Sequence, residues 1–189
     1  MDWSISAAQA DMRAGYYSGA AGILASALAW SIAAGVALTG SAERAIIVLL
    51  VGGMLIYPVS IVICKILGAR GTHTKGNPLG LLAGASTFWL VFCMPLAYGL
   101  GREQPAWFFS AMLIVIGGRY LVFATLYGMR LYWILGLALA AAAIGLVFLS
   151  AAASIAVSAG ALIELGFAIS CFVYHRQSLR SLAEENQRS

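Results

Sequence analysis

Six long runs of apolar residues follow one another along the chain, and short polar or glycine-containing stretches separate them. A helix that crosses a hydrocarbon core of ~30 Å needs about 20 mostly apolar residues, and each run is long enough to meet that requirement. The runs do not alternate between apolar and polar positions, so helices are favoured over the strands of a membrane barrel. The predicted spans are residues 15–38, 45–67, 79–100, 106–128, 131–149 and 155–174, and a short tail follows at 176–189.

The composition excludes the ordinary soluble classes of protein. Of the 189 residues, 62% are hydrophobic and 10% are charged, whereas a soluble domain carries about 25% charged residues. So few charged side chains do not cover the wet surface of a soluble enzyme, and so apolar a chain does not stay disordered. No linker rich in proline or serine divides the sequence. We therefore predict a single domain over residues 1–189, an all-α bundle of six transmembrane helices.

The basic residues are distributed unequally between the two ends of the predicted spans. With six spans, both termini lie on one side, and that side carries eight of the 11 lysines and arginines. The other side carries Arg44 and Arg102, and Arg119 lies within the fourth span. Because basic residues are enriched on the cytoplasmic side of membrane proteins, both termini are expected in the cytoplasm. The basic excess thus indicates orientation, and no nucleic-acid partner is expected.

Two ionisable residues lie deep in the predicted spans, Arg119 in the fourth and Glu164 in the sixth. Each costs roughly 2.5–3.5 kcal/mol if it is left alone at the centre of a membrane helix. The two spans run in the same direction and place these residues at depths that differ by ~6 Å. We therefore predict that both face the bundle interior and pair directly or through water. Such a pair is either a solute or proton site or a structural ion pair that fixes helix packing.

One face of the sixth span combines small and polar residues. This face either lines a water-filled path from mid-membrane to the cytoplasm, with His175 as a titratable group, or is a close-packing face. Close packing is the favoured interpretation. Cys171 and His175 alone supply too few ligands for a metal, and we expect neither a metal site nor a cofactor. The residues of the face are Gly160, Glu164, Ala168, Cys171 and His175.

The second span contains Pro58, with Tyr57 and Ser60 beside it. A proline removes one helix hydrogen bond, and the freed carbonyl can bind water, a hydroxyl or an ion. Broken helices of this kind line transporter sites, although a plain kink is the commoner outcome. In the first span, Gly15-x-x-x-Gly19 indicates close helix contact within the bundle or between protomers, so a homo-oligomer is one open interpretation.

The loop at residues 68–78 is rich in glycine and basic residues. It is either a flexible connection that carries orientation charges, or a segment that holds an anion or a lipid head group. It contains no phosphate-binding loop pattern and follows no strand, so a nucleotide site is not expected. The sequence leaves the role of this loop open.

Three strings carry a family resemblance: GMLIYP at residues 53–58, KGNPLG at 75–80, and GGRY at 117–120 followed by FATLYG at 123–128. Together they resemble a bacterial family of small multi-pass membrane proteins of unknown function, from the first span through the fifth. The resemblance implies a helical membrane fold and location in the bacterial inner membrane. It brings no established activity, cofactor or site residue.

The first functional hypothesis is a small transporter or channel whose partners are the lipid bilayer and a small solute or proton. Arg119, Glu164 and the Tyr57–Pro58 kink would surround a mid-membrane cavity, and Ser60 and His175 would belong to the same pathway. The alternative is a non-catalytic structural or regulatory membrane protein in which the Arg119–Glu164 pair only stabilises the bundle. A wet cavity that reaches both deep charges favours transport, whereas a dry interior favours the alternative.

A membrane enzyme that acts on lipid is the weakest hypothesis. The chain has two histidines, and it shows no paired carboxylates and no Ser-His-Asp pattern of the kind that supports hydrolysis. We therefore expect no enzymatic activity.

Overall fold

A computed structural model describes residues 3–188 of the chain, with side chains described to residue 181. Regular structure within residues 3–188 is helical throughout, and six of its helical stretches are long and apolar enough to cross a membrane. The predicted all-α class with six spans is confirmed. The elements are α1 (Ile5–Tyr16), a 3₁₀ turn (Tyr17–Gly19), α2 (Ala20–Thr39), α3 (Ala42–Ile66), α4 (Leu79–Glu103), α5 (Pro105–Tyr127), α6 (Leu131–Phe148) and α7 (Ala153–Arg188).

Local sequence signals fix several helix ends. The Ser4 hydroxyl caps α1 and the Ser41 hydroxyl caps α3, each accepting a hydrogen bond of 3.2 Å from a backbone amide of the first turn. Such caps satisfy amides that a helix start leaves free. Pro105 stands in the first turn of α5, where its missing N–H breaks no bond. Gly128 ends α5 with a φ of 64°, a conformation that lacks steric cost only for glycine.

The stretch predicted as one helix at 15–38 is interrupted. Tyr17, Ser18 and Gly19 have positive φ values of 54°, 55° and 81°, so the chain turns there and α2 begins only at Ala20. Residues with a side chain rarely adopt this conformation, and tertiary packing imposes it here. A Cβ atom on Gly19 would collide with the Tyr132 hydroxyl, so this turn requires glycine.

The centre of the bundle is formed by α2 and α5. Helix α2 packs against α3 and α7, while α5 packs against α4, α6 and α7. In the first span and in α5, 50% of the most apolar stretch is buried, compared with 11% in α3 and 6% in α4. Helices α3 and α4 therefore lie at the edge and turn apolar side chains outward, where lipid tails solvate them as well as a protein core would.

Helix α7 is longer than the sixth predicted span. It continues from Ala153 to Arg188 and so includes most of the residues predicted as a tail at 176–189. After Gly166 the sequence contains neither glycine nor proline, so no residue of the segment breaks the helix. Residue 189 of the predicted tail lies outside the described part of the chain.

Candidate functional site

The small and polar face of α7 points into the bundle. All five of its residues are buried, whereas Leu162 and Ile169 on other faces of the helix are 71% and 58% exposed. The helices that pack against α7 are α2, α5 and α6. The face therefore meets the centre of the bundle, as its spacing predicts. Its residues are Gly160, Glu164, Ala168, Cys171 and His175.

Glu164 is fully enclosed by the bundle, with 0% of its surface exposed. It lies 11 residues beyond the start of α7, about 16 Å along the helix axis, and so near the middle of a core of ~30 Å. The Tyr120 hydroxyl of α5 donates a hydrogen bond of 3.2 Å to its Oε1. Its Oε2 has no hydrogen-bond partner, although the Ser26 hydroxyl of α2 lies close by. The carboxyl is therefore half satisfied.

Arg119 precedes Tyr120 on α5 but projects toward a different neighbour, because successive residues of a helix are ~100° apart. Its Nη2 donates a hydrogen bond of 3.1 Å to the Thr87 hydroxyl of α4. Its Cζ lies 5.0 Å from the centre of the Phe123 ring, within the range of cation–π contact. Its Nε is buried without a partner.

The predicted direct pairing of Arg119 with Glu164 is wrong. Within residues 3–181, the side chains that form a salt bridge are Arg70 and Asp11, at 2.6 Å. Tyr120 is the α5 residue that reaches α7, and Arg119 turns to α4 instead. Comparing depths alone led to the error, because two residues at similar depth can lie on different sides of a helix. Pairing through water stays a prediction.

A second polar group, the Ser18 cluster, lies where α1 turns into α2. It comprises Tyr17, Ser18, Tyr132, Cys171 and His175. The Ser18 hydroxyl lies 2.7 Å from His175 Nδ1. The Ser18 carbonyl accepts hydrogen bonds from the Tyr132 hydroxyl at 2.8 Å and from Cys171 Sγ at 3.3 Å. The Tyr17 ring lies on the His175 imidazole, with centroids 3.9 Å apart. Ser18 is therefore the hub of this cluster.

The Glu164 carboxyl and the Ser18 cluster are neighbours without a hydrogen bond between them in the described part of the chain. The Tyr120 and Tyr132 rings stack with centroids 6.0 Å apart, and they bring one hydroxyl to Glu164 and the other to Ser18. Seven residues of α7 separate Glu164 from Cys171, about 10 Å along the axis. The buried Ala168 occupies this interval. Proton passage between the two groups would therefore need water or side-chain movement.

Helix α1 and residues 67–78 cover the end of the bundle at which His175 lies. Asp11 is at the centre of this cover, and its carboxylate binds Arg70, Thr74 and Asn77 of the loop. Its Oδ1 accepts from Arg70 Nη2 and from the Thr74 hydroxyl, each at 2.6 Å, and its Oδ2 accepts from the Thr74 amide and from Asn77 Nδ2, each at 2.9 Å. Charge-assisted hydrogen bonds are about twice as strong as neutral ones. The loop whose role the sequence left open is thus docked on α1.

Further hydrogen bonds tie α1 to its surroundings. Gln9 Nε2 donates to the Thr125 carbonyl at 2.8 Å, and Arg13 donates to the Tyr127 carbonyl, both near the end of α5. The Gly71 amide donates to the Gly15 carbonyl at 2.8 Å. Helix α1 is therefore a strap that joins the α3–α4 loop to α5.

The remaining predicted pathway residues lie elsewhere. Tyr57 is 62% exposed and Pro58 is exposed, both on the outer surface of α3. The Ser60 hydroxyl donates to the Tyr57 carbonyl at 2.7 Å, so it satisfies a backbone group beside the proline. Helix α3 packs inward through Ala45, Ile46, Leu49 and Cys64, and neither Tyr57 nor Pro58 belongs to this buried set. The structure therefore brings neither Tyr57 nor Pro58 against Glu164.

Sequence reasoning missed Tyr120, Ser18, Tyr132 and Asp11. Tyr120 carried a signal, because it is a hydroxyl beside Arg119 within an apolar span. Asp11 carried a weaker one, because it is an acid placed just before the first span and opposite a basic loop. Ser18 and Tyr132 carried none, since their contact joins residues that are 114 positions apart.

The fold and the buried polar groups define the class: a polytopic helical membrane protein with an ionisable site inside its bundle. The chain belongs to a family of unknown function, DUF7010, whose model matches residues 5–175. No curated protein and no solved structure matches the chain.

Proposed function

We propose that the protein is a small proton-coupled transporter and that Glu164 is the group that binds the proton. The observation that carries the proposal is the unpartnered Oε2 of a carboxyl that is 0% exposed. Buried polar atoms without partners are rare in native structures, and each calls for an explanation beyond packing. Ionisable residues inside membrane spans are rare and costly, and they mark ion and proton pathways.

Glu164 suits this role because the closed bundle stabilises its charged and protonated forms to different degrees. A charge on the carboxyl is disfavoured because burial removes its hydration and no cationic side chain of residues 3–181 lies within salt-bridge distance. The protonated form carries no charge, and the Ser26 hydroxyl of α2 lies close to it. Arg119 lies one residue from Tyr120, which already contacts Glu164. A shift of α5 against α7 that exchanges these two partners would stabilise the charged form, and it would couple proton release to a change of helix packing.

The Ser18 cluster indicates the side from which the proton arrives. His175 and Ser18 lie on the same face of the bundle interior as Glu164, toward the end covered by α1. By the excess of basic residues at this end we assign it to the cytoplasm, with both termini cytoplasmic, and we place the protein in the bacterial inner membrane. The partners are then the bilayer, the proton and a small solute. The proposal includes no catalytic step and no cofactor.

Flux measurements in proteoliposomes test the proposal. Wild-type protein is reconstituted with an imposed pH gradient and a panel of small solutes, and internal pH and solute uptake are followed together. We expect a pH-driven uptake that Glu164→Gln abolishes, because the amide keeps the shape but binds no proton. Glu164→Asp is expected to retain part of it. Glu103→Gln, at the end of α4, is the matched control and is expected to behave like wild type. Equal flux in wild type and Glu164→Gln would contradict the proposal.

A structural or regulatory role is the second candidate, and the dense packing around Glu164 favours it. A Cβ on Gly160, one turn away, would meet the Trp30 ring and the Leu113 side chain at less than ordinary contact distance. Two grooves of the bundle, one between α2 and α7 and one between α2 and α3, are lined mostly by apolar residues and include neither Arg119 nor Glu164. If this candidate holds, Glu164→Gln changes assembly or stability and no solute is moved.

A further inference from the structure

Arg119 has an incomplete set of partners at a depth where that is costly. Its guanidinium has five N–H donors. Among residues 3–181 it donates one hydrogen bond, from Nη2 to the Thr87 hydroxyl. Nε is buried and has no hydrogen-bond partner among these residues. Nη1 also makes no hydrogen bond in this part of the chain, but it is not fully buried. Nη1 therefore retains accessible surface.

None of the described acidic side chains forms a salt bridge with this guanidinium. Asp11 is bound by Arg70, and Glu164 accepts from Tyr120. Glu43 lies in the first turn of α3 and Glu103 ends α4, both at the opposite end of the bundle from the 67–78 loop. Arg119 thus has a hydroxyl and an aromatic ring as neighbours, and the position of a counter-anion is open.

The approach to Arg119 is from the lipid side. Thr87 is exposed on α4, and beside it Phe88 and Val91 are 66% and 49% exposed. Arg119 lies eight residues before the end of α5 at Tyr127, about 12 Å along the axis. A hydrated free anion would have to leave water to reach this depth, whereas an anion carried on an acyl chain enters with its chain against apolar side chains.

We infer that Arg119 and Thr87 form a binding site for the oxyanion head group of an amphiphile that enters laterally between α4 and α5. The guanidinium would donate a charge-assisted hydrogen bond through Nη1 to a phosphate or carboxylate oxygen. The Thr87 hydroxyl donates to the Ala83 carbonyl at 3.1 Å and accepts from Nη2, so it holds the arginine side chain in place. The inference shares Arg119 with the proposed transport function but uses neither Glu164 nor the Ser18 cluster, so it does not rest on that function.

Lipid binding to the purified full-length protein in a neutral detergent tests this site. Native mass spectrometry measures the affinity for phosphatidylglycerol and for phosphatidylcholine, and oleate and inorganic phosphate serve as competitors. We expect phosphatidylglycerol to bind at least about tenfold more tightly than phosphatidylcholine. Oleate is expected to compete, whereas inorganic phosphate is not, because the acyl chain of the ligand contributes to binding. Equal competition by inorganic phosphate and oleate would overturn the assignment to an amphiphile.

Variants separate this site from general surface charge. We expect Arg119→Gln to remove the preference for phosphatidylglycerol, and Thr87→Val, which retains the arginine, to weaken binding about threefold. Arg130→Gln changes an exposed base at the α5–α6 turn and is the matched control, with an expected change below about twofold. Unchanged preference in Arg119→Gln, or an equal loss in Arg130→Gln, would overturn the inference. Glu164→Gln is expected to bind like wild type even if it also abolishes flux.

Discussion

The Ser18 cluster and the Glu164–Arg119 region are both polar and lie only a few helical turns apart, yet their polar atoms have hydrogen-bond partners to different degrees. Among residues 3–181, the buried side-chain nitrogen and oxygen atoms without a partner are Arg119 Nε and Glu164 Oε2. The Ser18 cluster contains none of them, and its hub forms contacts from 2.7 to 3.3 Å.

This difference separates two uses of polar groups in a membrane interior. A fully partnered cluster lowers the free energy of one arrangement of helices and so specifies the fold. A half-partnered carboxyl contributes little to any one arrangement, and it is free to change partners or protonation. We therefore expect substitutions in the first region to change stability and substitutions in the second to change function.

The largest effect on stability is expected from Gly19→Ala. A side chain at a φ of 81° is strained, and its Cβ would collide with the Tyr132 hydroxyl. Together these effects should lower the free energy of unfolding by roughly 2–5 kcal/mol, as measured by reversible unfolding in detergent. Gly22→Ala is the matched control, because no atom lies within 4 Å of its added Cβ. A stability loss of similar size in both variants would show that the turn is not the cause.

Asp11→Asn should open the cover over the Ser18 cluster. The amide loses the ion pair with Arg70, and it presents a donor to groups that are themselves donors. In a chain in which Cys64 and Cys93 are changed to alanine, we expect maleimide labelling of the buried Cys171 to rise about tenfold. Glu43→Gln, at the other end of the bundle, should leave labelling unchanged. Constant labelling in Asp11→Asn would contradict the description of α1 as a strap.

Tyr132→Phe should have a smaller effect on stability. It removes the hydroxyl that donates to the Ser18 carbonyl at 2.8 Å and leaves Cys171, a weaker donor, at that carbonyl. Hydrogen bonds inside membrane proteins contribute about 0.6 kcal/mol on average, and the unfolding free energy should fall by about that amount. Tyr57→Phe, on the exposed face of α3, is the control and should be neutral. An unchanged stability in Tyr132→Phe would weaken the contrast between the two regions.

The smallest effect on stability is expected from Glu164→Gln. The amide has nearly the same shape, it can still accept from Tyr120, and it removes a group that was half satisfied. The free energy of unfolding should stay within about 0.5 kcal/mol of wild type. A loss of more than about 2 kcal/mol would show that Glu164 is a structural residue like those of the Ser18 cluster.

The sequence predicts the spans because each is a long apolar run, and it predicts the inward face of α7 because Glu164, Cys171 and His175 recur at helical spacing. It does not predict the partner of Glu164, since which of two adjacent residues, Arg119 or Tyr120, faces α7 depends on how α5 is rotated in the bundle. The turn at Tyr17–Gly19 was also hidden, because long-range packing against Tyr132 imposes it. Local pattern thus determines elements and faces, whereas side-chain pairing depends on tertiary geometry.

The central claim is that Glu164 exchanges a proton inside the bundle, and infrared difference spectroscopy tests it most directly. Protein in lipid membranes is cycled between acidic and basic buffer, and the carboxyl bands of glutamate labelled with ¹³C are followed. The account predicts a band of a protonated carboxyl in an apolar environment that changes reversibly with pH and is absent in Glu164→Gln. A spectrum in which no such band changes, or in which Glu164→Gln retains it, would contradict the account.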